Sequence, residues 1–459
     1  MCRFHLCLSL WLGWCVCLLV GTSRASELAG VVVRFEKYEG PATIGVESLG
    51  QFKFKMTVDP KTEREPLAIR VELPTTGREA WPVVDVEVRD SRGQAIAVQR
   101  GGTEWHRLLI PVPATTARYL VQVVDPQEGQ QQKLPAEKEP QLTDQKSGLN
   151  VSIARWYDGR QAVLSLRFDD SHPTHLSKAI PILREYGFRG TFMINPGQRE
   201  PNCRRRSSFE DHQAEWEAVA RRGDHEFANH SAHHRGAIGD EDMEAEIGQA
   251  AQAIWKLSPD KSKLTALNLG GGTLWETTRT LRYYLENYHQ FDALGNSTGM
   301  DDTYGNRVET FGRMLAQHLE RGLWFRVHYH YIGDGLSSSE ANFRAVLEIA
   351  KEHQADLWIA GMADIHKYQT ERNGAALSLV NSSPQQLSFN LSCLTDVELY
   401  DQPLTIEVTP PKSWPLARIV VTDKQGQAIA VRTVHAAGQM LFRFELTPRT
   451  ADYTITWSP

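Results

Sequence analysis

Two stretches of this 459-residue chain repeat one another on either side of an unlike middle. Gly93-Gln94-Ala95-Ile96-Ala97-Val98 recurs as Gly426-Gln427-Ala428-Ile429-Ala430-Val431, and Trp81-Pro82 recurs as Trp414-Pro415, both at a spacing of 333 residues. Pro66-Leu67-Ala68-Ile69-Arg70-Val71 returns as Pro403-Leu404-Thr405-Ile406-Glu407-Val408, and the copies close on Thr116-Ala117-Arg118-Tyr119 and Thr450-Ala451-Asp452-Tyr453. A unit written twice is expected to fold the same way twice, so two related domains flank whatever lies between. Phe52, Phe54 and Met56, like Val84, Val86 and Val88, alternate with polar neighbours at the period of a half-buried strand. Each copy is therefore predicted to be an antiparallel β-sandwich, over residues 26–125 and 373–459. Both are read as accessory, serving attachment or packing. Residues 126–148 are rich in Gln, Lys, Glu and Pro, lack apolar periodicity, and read as a linker.

The middle, residues 149–372, has a different rhythm. Short apolar runs at Val163–Phe168, Gly190–Ile194, His225–Asn229, Leu264–Leu269, Phe291–Leu294, Trp324–Tyr329 and Asp356–Ala360 alternate with helical patterns. In Thr174–Tyr186, for example, Leu176, Ile180 and Leu183 share one helical face and Gly187 can end the helix. Seven strands alternating with helices imply parallel βαβ units, hence an α/β sheet or barrel.

Three segments of this middle carry candidate chemistry. The first strand ends in Arg167-Phe168-Asp169-Asp170, with adjacent carboxylates at the carboxyl end of a buried strand, where α/β barrels place catalytic groups. Such a pair either divides into a cation ligand and a proton carrier or caps the following helix. The third strand runs into His230-Ser231-Ala232-His233-His234; in a helical turn His230 and His234 would face one metal ion. The sixth strand ends in His328-Tyr329-His330, and His330 lies nearest the carboxyl end, as a site residue or as a solvated one.

With these residues the middle resembles the polysaccharide deacetylase family, the NodB-homology domains. The family's Thr-Phe-Asp-Asp motif appears as Arg167-Phe168-Asp169-Asp170, its His-Ser/Thr-x-x-His motif as His230–His234, and its catalytic-histidine strand as the one ending at His330. Gly190-Thr191-Phe192 and Asp356-Leu357-Trp358-Ile359-Ala360 are similar to further family phrases. The resemblance implies a distorted (β/α)7 barrel that removes acetyl groups from an acetylated polysaccharide. It implies Asp169 as general base, His330 as general acid, and Asp170, His230 and His234 as ligands of a divalent metal, Zn2+ or a similar ion. Asn268, Gly271 and Gly272 would support an oxyanion or contact substrate.

Two departures stand out. The family's Arg-x-Pro-x-Gly motif falls on Asn268-Leu269-Gly270-Gly271-Gly272, without the arginine that orients the base, and its Asp/Trp motif is not visible around Ala293–Gly299. They motivate a second reading, a non-catalytic carbohydrate-binding protein on a degenerate barrel; a third, an amidase acting on a non-sugar amide, uses the same metal centre.

Composition and the N-terminus bound the setting. A formal net charge of -6 and a pI of about 6.3 disfavour a nucleic-acid surface, and Arg204-Arg205-Arg206 reads as a solvated loop. Arg3, an apolar run from Leu6 to Val20 and Ser23-Arg24-Ala25 have the layout of a signal peptide cleaved after Ala25, the other reading being an uncleaved anchor. Cleavage implies a secreted protein, extracellular or periplasmic, with no stable membrane insertion. It would remove Cys2, Cys7, Cys15 and Cys17, leaving Cys203 and Cys393. That is too few cysteines for a disulfide scaffold.

Overall fold

The computed structural model describes residues 26–28, 30–38, 40–61, 67–77, 79–124, 140–197, 209–295, 297–411, 419–436 and 438–457. The expected signal peptide, Cys203, the arginine run and Trp414-Pro415 lie outside the described residues. Among those described, no helix is long and apolar enough to cross a membrane. The chain forms two compact units. One holds the described residues up to 124 with 237–240 and 274–281, and the other holds the remainder.

The first unit packs two sheets face to face. One runs in the order 26–28, 31–35, 67–72, 107–112, 98–101, 274–277 and 237–238; the other runs 43–50, 53–59, 117–123 and 86–90. Alternation in Lys53–Asp59 turns Phe54, Met56 and Val58 into a core shared with Val33, Ile69, Val71, Leu108 and Ile110 from the opposite sheet. Burial of each such side chain is worth roughly 1.5–3 kcal/mol. Trp81 sits edge-on to Phe52 and Phe54 in that core. Leu274–Thr277, expected within the middle region, instead pairs antiparallel with Val98–Gly101. Its Trp275 and Thr277 point inward, but four residues are too few for their alternation to stand out in the sequence.

In the second unit a parallel sheet runs in the order 290–292, 265–267, 226–229, 190–194, 162–168, 324–329 and 298–299. All seven expected strands form, and Thr298–Gly299 adds an eighth. The sheet is a curled parallel half-barrel, in keeping with the α/β part of the expected distorted barrel. Its outermost strands, Gln290–Asp292 and Thr298–Gly299, are consecutive in the chain, and no pairing among the described residues joins them. Leu357–Ile359 pairs with the start of the first strand. That strand, Ala162–Phe168, is buried at every position, as strands covered on both faces are.

Beneath the parallel sheet lies the second sandwich. Its sheets run 141–143, 150–153, 404–409, 439–446 and 432–436, and 375–383, 386–393, 451–457, 419–423 and 428–429. Apart from 274–277 and 237–238 in the first copy and 428–429 in the second, this is the strand order of the first copy, with Asn150–Ile153 standing where Val31–Phe35 stands. The expected linker and barrel start are thereby corrected: residues 141–153 are the opening strands of the second sandwich, and the α/β region is inserted after them. Val151 and Ile153 pair opposite Val408 and Ile406. Leu149, Val151, Ile153, Val163, Ile365 and Tyr368 share one core with Phe389, Leu404, Ile406 and Phe444. The sandwich is the packed floor of the α/β domain, not a detachable accessory.

Candidate metal centre and catalytic site

The chemistry gathers at the carboxyl ends of the parallel strands. After Phe168 the chain turns sharply, with Asp170 at φ 79° and Ser171 at φ 50°, and Ser171 Oγ accepts a hydrogen bond from Asn195 N at 2.7 Å. Asn195 donates its side-chain amide to the carbonyls of His230 and Ser231, at 2.6 and 2.8 Å, and so ties the two motif loops together. His230–His234 is not the helical turn expected. Ser231 and His234 take left-handed backbone (φ 67° and 52°), and His234 N donates to Ser231 Oγ at 2.8 Å. Four non-glycine residues at positive φ around one site store strain of about 1–3 kcal/mol each, held by these hydrogen bonds.

This backbone brings Asp170, His230 and His234 together. Asp170 Oδ1 lies 3.4 Å from Nε2 of both His230 and His234, and the three potential ligand atoms all fall within 4.8 Å of one another. Ligands about 2.1 Å from a tetrahedral ion stand about 3.4 Å apart, so this carboxylate and these imidazoles fit a divalent cation. His230 Nδ1 donates to the Asn268 carbonyl at 2.7 Å, which leaves Nε2 as the lone-pair nitrogen facing Asp170. Gly270 is required beside His234: a Cβ there would lie 1.9 Å from His234 Nε2. His225 and His233, the other histidines of the cluster, are committed elsewhere. The first accepts from Gly190 N at 3.1 Å, and the second pairs with Glu246 at 2.7 Å.

Asp169 is buried at the end of the same strand, its Oδ2 2.9 Å from Arg167 Nη2. Its other oxygen, Oδ1, is buried and accepts no hydrogen bond among the described residues. Burial alone would raise the carboxyl's pKa, but Arg167, aided by His230, His328 and His330, holds it below the usual carboxylate range. On the neighbouring strand His330 Nδ1 lies 2.5 Å from Asp301 Oδ2, and His330 N donates to Asp301 Oδ1 at 3.1 Å. The Asp301 hydrogen bond outweighs burial and pushes the imidazole up to about 9, with Asp169 and Asp170 adding to the effect. His330 is therefore cationic at neutral pH. His328, two residues earlier, is driven by burial and Arg167 down to about 4 and stays neutral.

Residues 157–287 match the family model described as polysaccharide deacetylase. This region belongs to the polysaccharide deacetylase family. In addition, 63% of the chain aligns at 21% identity over 339 residues with a gellan lyase from Bacillus sp, covering 13% of that protein's length. Among solved structures, a family 4 carbohydrate esterase from Streptomyces lividans matches at 19% identity (TM-score 0.31; 44% of this chain, 94% of that one). The catalytic domain of a peptidoglycan N-acetylglucosamine deacetylase from Eubacterium rectale matches at 16% (TM-score 0.31; 46% and 91%). A CE4 family pseudoenzyme from Bacillus anthracis matches at 10% (TM-score 0.33; 46% and 67%).

The α/β region thus groups Asp169, Asp170, His230, His234 and His330 at the carboxyl ends of its strands. Asn268 departs from its expected place. Its side-chain amide donates to the Ala293 carbonyl at 3.1 Å and its own carbonyl orients His230, so it supports a ligand instead of facing an oxyanion. Gly271 and Gly272 are exposed just past the His234-facing glycine. Two residues went unread in the sequence: Arg167, visible as an arginine where the family motif begins with threonine, and Asp301, in a loop without periodicity.

Proposed function

We propose that this protein is a secreted, metal-dependent deacetylase of an acetylated polysaccharide. One observation carries the reading: a buried carboxylate oxygen, Asp169 Oδ1, with no hydrogen-bond partner among the described residues, and a cationic imidazole, His330, flank a two-histidine, one-carboxylate cluster. Asp170, His230 and His234 would hold the ion, Zn2+ by this donor set, which when bound polarises the acetyl carbonyl and acidifies water. Asp169 Oδ1 takes the proton of the attacking water as its oxygen bonds to the carbonyl carbon. Backbone at Gly271 and Gly272 lines the acyl side. His330, held protonated by Asp301, passes its Nε2 proton to the departing nitrogen or oxygen as the C–N or C–O bond breaks, and acetate leaves. A binding module needs neither a base nor a cationic acid, so retention of both supports the enzyme over the degenerate-barrel binder.

The test is acetate release from N- and O-acetylated glycans by metal-loaded protein, with chelator and Asp169→Asn as controls. Release that both controls abolish is expected. Glycan binding by metal-loaded protein without any release, or release indifferent to both controls, would overturn the reading.

A further inference from the structure

The third family motif lacks the arginine that orients the base, and the structure carries an arginine at Asp169 from a different element. We propose that Arg167 is the positioning residue of Asp169, the first strand supplying from two residues upstream what the glycine run at 270–272 does not. This rests on the reading of Asp169 as the base.

Geometry and burial carry the argument. On a strand, residues two apart project to the same side, so Arg167 and Asp169 need no tertiary coincidence to meet. Both side chains are nearly inaccessible, 7% and 4% exposed, at 2.9 Å. A buried ion pair is weak evidence for stability, since apolar residues of similar volume often do as well in its place. This one also engages only half of the carboxylate. Arg167 Nη2 holds Oδ2, while Oδ1 stays buried and unbonded among the described residues. Leaving a buried acceptor unmet carries a desolvation penalty, which a merely structural carboxylate would avoid and a base awaiting a proton would not. His328, which pairs across from Arg167 in the sheet, is engaged with Ser297 Oγ at 3.0 Å and stands outside the contact. The guanidinium therefore fixes the carboxylate's rotation and directs one chosen oxygen to the reacting water. Without it the same carboxylate can turn away, and misplacement by about 1 Å is enough to cost roughly 10²-fold in rate.

The test compares Arg167→Ala, Arg167→Lys, Asp169→Asn and the Arg167→Ala/Asp169→Asn pair. Arg167→Ala is expected to keep its metal and its KM within about threefold while kcat falls roughly 10²-fold. Added guanidinium should recover at least about tenfold of that loss in Arg167→Ala, and Arg167→Lys should fall in between. In the double variant the arginine change should cost nothing beyond Asp169→Asn, because the group it positions is already gone. Unchanged kcat in Arg167→Ala, or full additivity with Asp169→Asn, overturns the proposal. If no acetylated glycan is cleaved even by wild type, the enzymatic reading fails separately. A crystal structure of metal-free Arg167→Ala then decides: a displaced Asp169 carboxylate supports the positioning role, and an unmoved one refutes it.

Discussion

Asp301→Asn isolates the charge that makes His330 an acid. The amide can still face Nδ1, but the negative charge 2.5 Å from the ring is gone. His330 is held up to about 9 chiefly by that contact, so the variant should titrate nearer the ordinary histidine value of about 6.5. The difference corresponds to roughly 3 kcal/mol, an upper figure because the ring is 32% exposed and partly screened. At pH 7.5 a group with a pKa of about 9 is almost fully protonated, whereas one near 6.5 is only about one-tenth protonated, so turnover should drop about tenfold. At pH 5.5 the two proteins should nearly agree. The basic limb of the kcat profile should accordingly move down by about two pH units, and ring NMR of His330 should show the same shift without any substrate. The stability sign follows from a folded pKa raised above the unfolded one. The Asp301 contribution is fully present below about pH 6.5 and is lost as pH rises through about 9. Wild-type and variant melting temperatures should therefore converge toward alkaline pH. A basic limb and a ring titration that stay where they are in Asp301→Asn would refute the reasoning.

Gly270→Ala should lower bound metal as much as His234→Ala does, because the new methyl would overlap the His234 ring; elemental analysis of both variants checks this. Asp169→Asn should retain metal and lose turnover by roughly 10²–10⁴, whereas Asp170→Asn should lose metal affinity as well as rate, read by metal titration beside kinetics. A fragment of residues 149–372 should aggregate or melt without cooperativity, since it bares Val151, Ile153 and Tyr368; one of 140–457 restores that core and should melt cooperatively and bind metal, although it leaves Leu274–Thr277 without its partner strand Val98–Gly101. Calorimetry and size-exclusion chromatography of the two fragments distinguish these outcomes.

The residues of the site were legible where chemistry is local in sequence. Asp169-Asp170 and His230-Ser231-Ala232-His233-His234 each put two functional groups within five residues, and strand ends position them. The route by which they meet was not legible. Helical spacing predicted that His230 and His234 would converge, whereas they converge through left-handed backbone at Ser231 and His234, a conformation held by the Asn195 amide and by loop bonds to Asn229 Oδ1 and Ser231 Oγ. Asp301 was hidden for the same reason: its role comes from packing beside His330, 29 residues away. The repeat revealed two sandwiches but not that the second is interrupted, because Asn150–Ile153 alone is too short to recognise as a copy of Val31–Phe35.

That interruption gives the twin sandwiches different folding histories. In the first copy Val33 meets Val71 within one short stretch of chain; in the second, Val151 must wait for Val408 to be synthesised. Closing the longer span through an unfolded chain costs about 2 kcal/mol more in entropy. A folded α/β domain removes most of that cost by holding its own two ends on the sandwich floor. The Val33–Val71 core of the first copy can therefore form early during translation, before 237–238 and 274–277 are added to its sheet, while the second copy closes only around a finished α/β domain. Mutations that weaken that domain should unravel the C-terminal sandwich with it, and reach the N-terminal one only through its outer strands 274–277 and 237–238.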